Sequence, residues 1–253
     1  MTKPVDAGQS LAYGEILHLD EFLELACVHD TPDRTLFFAA HQSCEIWFAV
    51  VLRHLEQARD ALTRDDGLVA VALLERLPHV MRVVAEHFAV LMTLTPESFD
   101  EIRATLGTSS GFQSAQYREI EFLCGARDPR FLNISGLSAA ERARLVARLD
   151  EKSVGAAFVE YRERAGADAV PPGLSLVERV HDVLSNLDDS VRAWRALHAE
   201  LADKLLGGAL GTAGSSGAAY LWRSTKRTLF PEVFPRHECS DGEHPLPGAG
   251  GWA

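Results

Sequence analysis

Apolar residues recur at three- and four-residue steps along most of this chain, and one such run, from about Leu174 to Leu205, ends directly in a glycine-rich loop. In it Leu176, Val177, Val180, Leu184, Leu187, Val191, Trp194, Leu197, Leu201 and Leu205 fall on one face of a helix. No segment sustains the period-two alternation of a half-buried strand, and no internal repeat is present. The fold is therefore expected to be all-α, a bundle of long helices.

His198 follows Leu197 and lies one turn from Trp194 and Leu201, so its imidazole leans toward the buried side. A buried ring nitrogen needs a partner. Two readings fit at this point: a core histidine bonded to a backbone carbonyl, or a ligand. The loop that follows holds Gly207, Gly208, Gly211, Gly214 and Gly217 with Thr212, Ser215 and Ser216 among them. Little side-chain bulk, free backbone N–H groups and hydroxyls let such a loop lie against an anionic or zwitterionic ligand, and a flexible linker is its other reading. Phosphate-loop spacing is missing, since neither a closing Lys-Ser or Lys-Thr nor a preceding strand is found.

At 253 residues and 47% hydrophobic content the chain can bury one full core. An arm over 1–12, an all-α domain over 13–234 and a loose tail over 235–253 are expected, the arm and tail because they hold Pro and Gly without periodicity. No apolar run approaches the ~20 residues of a membrane span and no signal-peptide plan opens the chain, which predicts a cytoplasmic protein without a membrane partner. The formal charge of −11 argues against nucleic acid as a partner. Cys27, Cys44, Cys124 and Cys239 are too scattered for a disulfide or zinc framework, and the histidines show no zinc spacing.

In chain order, Asp20 is a candidate cap for a short helix carrying Phe22, Leu23 and Leu25, with Tyr13 just ahead of it. Thr31-Pro32 opens a core helix of about thirty residues in which Phe37, His41 and Cys44 share a face. Pro78 should break the helical segment 68–94, and Thr95-Pro96 starts another helix that Gly107 ends. A helix from Phe112 to Cys124, closed by Gly125, carries Arg118 at its middle. Arg118 pairs with Glu121 or Glu119 on a solvated face, or is a partly buried guanidinium that requires an anionic partner. Shorter helices follow over 138–150 and 152–165, and a last one over 218–228.

Read together, Y-G-E-I-L-H-L-D, L-F-F-A-A-H-Q-S-C-E-I-W-F, S-G-F-Q-S-A-Q-Y-R-E-I-E-F, W-R-A-L-H and G-T-A-G-S-S-G-A-A-Y-L resemble the tryptophan 2,3-dioxygenase family of haem enzymes, in the family's order and across most of the chain. Thr212 stands the family's fourteen residues beyond His198. The resemblance implies helices enclosing haem b, with His198 as proximal ligand of the iron and dioxygen as co-substrate. It places His41 on the distal side near the indole N–H and Phe37 on the wall of the aromatic pocket. Arg118 would grip the substrate carboxylate as a bidentate pair and Thr212 would receive the α-amino group.

The family also implies a homotetramer in which the N-terminal segment, with Tyr13, reaches a neighbour's pocket. The expected activity is addition of dioxygen to the indole ring of L-tryptophan or a close derivative, giving an N-formylkynurenine-type product. The alternative on the same fold is insertion of one oxygen atom into a substituted tryptophan, such as a β-methyl derivative, giving a 2-oxindole in secondary metabolism. A non-catalytic haem sensor is the remote alternative. Two departures suggest a pocket reshaped around a modified substrate: Ile16 stands where the family usually has a second tyrosine, and Ala213 where it usually has glycine. The chain is also short for the family, chiefly after the glycine loop.

Overall fold

The computed structural model describes residues 11–26, 30–165, 175–207 and 217–235. Eleven α-helices and two short 3-10 turns, with no strand, make up the described residues. Two short N-terminal helices, α1 (Tyr13–Leu17) and α2 (Leu19–Ala26), precede the long α3 (Pro32–Thr63). Then come α4 (Gly67–Leu74), α5 (Leu77–Leu91), α6 (Pro96–Leu106), α7 (Ala115–Cys124), α8 (Ala139–Asp150) and α9 (Val154–Ala165). The second long helix, α10 (Leu176–Leu206), and the short α11 (Ala218–Ser224) complete the chain.

Most helix starts lie where capping chemistry puts them. The Thr31 hydroxyl accepts from the Arg34 amide at 3.3 Å, ahead of Pro32. Thr95 accepts from the Ser98 amide at 3.1 Å in the same way before Pro96. Pro78 lies in the first turn of α5, so the break with α4 falls at Glu75–Arg76. Two starts differ from expectation. Asp20 is not a cap: His18 takes a left-handed conformation (φ 51°) that ends α1, and α2 opens at Leu19 with Asp20 inside its first turn. The helix expected from Phe112 is divided, because Phe112 sits in a 3-10 turn (Gly111–Gln113) and the Ser114 hydroxyl then caps α7 through the Tyr117 amide. Gly125, at φ 119°, closes α7 in the left-handed region where a side chain would be strained.

The main core is formed where α3 packs on α4, α5, α7 and α9, and α10 on α4, α5 and α11. Phe48, Leu55, Leu62, Leu74, Met81, Phe88, Phe158, Leu184 and Val191 fill it. A smaller cluster of Phe112, Phe122, Phe131, Ile134 and Leu145 closes one side of α7. Contrary to the expectation from apolar run length, α3 is long and apolar enough to cross a membrane by length and composition. Here its Phe48, Val51, Leu55 and Leu62 face are buried against the other helices. Of the expected arm and tail, only Leu11, Ala12 and Pro235 lie among the described residues.

Candidate functional site

A cavity of about 200 Å³ opens between α3, α5, α7, α10 and α11. Phe37, His41, Arg118 and His198, four of the six residues singled out from sequence, line it together. Thr212 lies outside the described residues, although Gly217, the first described residue beyond the loop, borders the cavity. Tyr13 does not line this chain's cavity; it stands 74% exposed on α1.

His41 comes from α3, one turn after Phe37, and their rings lie 4.3 Å apart. Its Nδ1 is 2.8 Å from the Phe37 carbonyl. A carbonyl only accepts, so this contact puts the proton on Nδ1 and leaves the lone pair on Nε2. Nε2 faces the turn at Gly111, where a methyl group would sit 3.9 Å away and meet nothing else. Burial lowers the pKa of His41, outweighing the Phe37 carbonyl and Glu45, so the ring is neutral at pH 7.

His198 faces the same cavity from α10. Its ring lies 4.9 Å from Phe88 and 6.0 Å from Trp194. Burial, helped by His41 and Arg118, pushes its pKa down to about 4. Neither of its nitrogens is hydrogen-bonded among the described residues, unlike His41, His54 and His87, which each contact the carbonyl four residues back. The core-histidine reading of His198 is thus missing its partner. A neutral imidazole with a free nitrogen in an apolar cavity suits a metal. No cluster of three or more His, Cys, Asp or Glu side chains able to hold a bare ion exists among the described residues. Haem carries four ring nitrogens of its own and asks the protein for a single axial imidazole, so these residues fit it.

Arg118 keeps the Glu121 partner of its first sequence reading but has the burial of its second, so the solvated face is corrected. It pairs with Glu121, Nη1 to Oε2 at 2.5 Å, but at 6% exposure on a buried face and not in water. Its guanidinium lies over the rings of Phe131 (4.0 Å), Phe112 (5.0 Å) and Tyr117 (5.2 Å). Burial works against its charge, yet Glu121 and the surrounding groups outweigh burial and hold its pKa above the ordinary value. With Nη1 taken, Nε and Nη2 form the remaining edge, and Nε is buried with no partner among the described residues. An orphaned donor on a caged cation asks for an anion that accepts two parallel hydrogen bonds.

Sequence reasoning missed two contributors, Arg195 and Tyr220, and gave Trp194 a place on the buried face but no role. Arg195, three residues before His198, is 4% exposed and spans from α10 to Tyr117 and Glu121 on α7. Tyr220 packs edge-on against Phe112 at 5.1 Å and closes the cavity from α11. Trp194 leaves a buried indole N–H without a partner in the described residues, beside His198. Each stands inside one of the segments quoted above, W-R-A-L-H or G-A-A-Y-L, but the partners of Arg195 and Tyr220 are distant in sequence and no local pattern marks those two.

The sequence profile of the family described as Tryptophan 2,3-dioxygenase matches residues 2–137, more than half of the chain. A protein of Kineococcus radiotolerans named tryptophan 2,3-dioxygenase is 32% identical over 92% of this chain and 94% of its own length. One of Nocardioides sp. with the same name is 36% identical over 85% of this chain and 90% of its own. A third, from Xanthomonas campestris, is 32% identical over 88% and 86%. This chain covers 86–94% of the length of these three relatives.

Proposed function

The chain belongs to the tryptophan 2,3-dioxygenase family, and from that membership and the cavity we propose that it inserts both atoms of dioxygen into the indole ring of L-tryptophan. The observation that carries this reading is the meeting of two neutral imidazoles, from α3 and α10, with a guanidinium edge that lacks an acceptor. A gas sensor or carrier has no use for that edge. The names of the relatives favour dioxygenation over insertion of a single oxygen atom.

Haem b, when bound, supplies the iron that activates dioxygen toward the C2–C3 bond of the indole. His198 offers its free nitrogen to that iron and stays neutral because it is buried. His41, with its proton held on Nδ1 by the Phe37 carbonyl, offers Nε2 as acceptor to the indole N–H. Phe37 and Phe99 wall the aromatic space and exclude water. Arg118 takes the α-carboxylate on its Nε and Nη2 edge, and Thr212 receives the α-amino group. Both charged ends of the amino acid are then held, which fixes the indole relative to the iron.

Assembly and location belong to the same reading. Tyr13 (74% exposed), Ile16 (59%), Leu23 (48%) and Leu25 (76%) leave an apolar surface on α1 and α2 that a second copy would cover in a homotetramer, bringing Tyr13 to the neighbour's pocket. The acidic balance argues against nucleic acid as a partner, and a cytoplasmic site of action without a membrane partner fits α3 packed as a core helix. The test is the mass of the product formed from L-tryptophan and from β-substituted analogues by the reduced enzyme. A product heavier by two oxygen atoms is expected; one oxygen atom, or no product, would overturn the reading.

A further inference from the structure

Glu121, 5% exposed and one turn beyond Arg118 on α7, divides its carboxylate between two buried cations. Oε2 accepts from Nη1 of Arg118 at 2.5 Å, and Oε1 accepts from Nη2 of Arg195 at 2.8 Å. Arg195 is itself held on every side. Its Nε donates to the Tyr117 hydroxyl at 2.7 Å, and its Nη1 donates to the carbonyls of Ser224 (3.2 Å) and Arg227 (2.7 Å). The Glu121 carboxylate is therefore fixed by α10 and by the chain around the end of α11, and it hands that fixity to Arg118. With Nη1 engaged and the guanidinium carbon 4.0 Å from the centre of the Phe131 ring, rotation of Arg118 is hindered and the Nε and Nη2 edge is left for a ligand.

We propose that Glu121 is a positioning residue for the substrate carboxylate: it holds Arg118 so that the Nε and Nη2 edge faces the cavity, and through Arg195 it ties that edge to the helix bearing His198. Holding the fork in its binding orientation before the ligand arrives removes an ordering cost from binding. The arrangement also sets the distance between the carboxylate site and the proximal histidine, because Arg195 and His198 are one turn apart on α10. This rests on the reading of Arg118 as the carboxylate clamp, and the experiment separates the two.

Equilibrium binding of L-tryptophan and of its decarboxylated analogue tryptamine to the ferric holoenzyme is read from the haem absorbance change, for wild type, Glu121→Gln, Arg118→Lys and the double variant. Glutamine keeps the size but presents an amide N–H₂ to one of the two guanidiniums, so it cannot bridge both. L-Tryptophan should bind Glu121→Gln roughly tenfold or more weakly, the scale of one charge-assisted hydrogen bond, while tryptamine binding stays near wild type. The double variant should bind L-tryptophan no worse than Arg118→Lys alone. If Glu121→Gln preserves the wild-type ratio of the two ligands while Arg118→Lys loses it, Glu121 is only structural and the proposal fails. If Arg118→Lys also preserves the ratio, the clamp reading fails and the proposal with it. Should Glu121→Gln not fold, Glu121→Asp, with the carboxylate withdrawn by one methylene, is held to the same ratio.

Discussion

Arg118→Lys is the substitution whose cost the structure allows to be worked out. Lysine keeps the charge and can keep the contact that Nη1 now makes to Glu121 at 2.5 Å. It has no second parallel N–H to offer, so the two-point hydrogen bond to a carboxylate becomes one, and the guanidinium contact with the Phe131 ring at 4.0 Å is lost. The site is buried, so water does not replace the missing donor. Losing the two-point clamp in a desolvated pocket costs roughly 2–5 kcal/mol, by analogy with truncated buried charge pairs. At about 1.4 kcal/mol per factor of ten, kcat/KM for L-tryptophan should fall by roughly 30-fold to a few thousand-fold. Steady-state kinetics on haem-replete enzyme measure it, with the wild-type absorbance spectrum and thermal midpoint as controls for folding. Values of kcat and KM near wild type would show that Arg118 does not touch the substrate, and the reasoning from its orphaned Nε would be wrong.

His198→Ala should abolish stable haem binding or shift the ferrous spectrum to an abnormal ligation state; an unchanged spectrum with full activity would remove His198 from the iron. The pH dependence of kcat/KM should be flat from pH 6.5 to about 9. Burial lowers the pKa of His41, so its Nε2 is lost as an acceptor only as pH falls below 6.5, and the Cys44 thiol beside it, pushed up to about 12 by burial, stays silent. An acid limb lying above pH 6.5, or one that survives His41→Ala, would count against this role. Deleting residues 1–24 should weaken the oligomer and lower activity with haem fully loaded, since it removes the exposed Tyr13 and Ile16 surface; a single-chain mass in light scattering for the intact protein, with activity untouched by the deletion, would refute the assembly.

The helical skeleton was legible because its signals are local. Thr31-Pro32, Thr95-Pro96 and the Gly125 stop each act within one turn, and the structure puts helix ends at all three. The start of α2 was not legible, because the left-handed turn at His18 lets the helix open at Leu19 without a capping side chain from Asp20. At the site, sequence placed Phe37, His41 and His198 on inward faces and left Arg118 between a solvated and a buried face, and the meeting of all four in one cavity depends on how α3, α7 and α10 pack. Arg195 shows the limit plainly. Its position beside Trp194 suits either face of the helix, and only Tyr117 and Glu121, more than seventy residues earlier, decide that it is buried.

That long-range cluster also explains how a charge so poorly suited to an apolar wall is kept there. Arg118 and Arg195 are two cations sharing the Glu121 carboxylate, and Asp188, which also acts on Arg195, is already shared among Arg192, Thr228 and the Leu229 amide. Within hydrogen-bond distance the two buried guanidiniums have a single carboxylate between them, in a place where desolvation is expensive. A fold selected for stability alone would fill this space with apolar side chains. Keeping the imbalance makes sense when a ligand carboxylate supplies the missing charge, because the same desolvation that burdens the free protein then strengthens each hydrogen bond to the ligand. The aromatic rings of Phe112, Tyr117 and Phe131 hold the guanidinium in the interval, so the cost is carried by the empty site and offset when the amino acid binds.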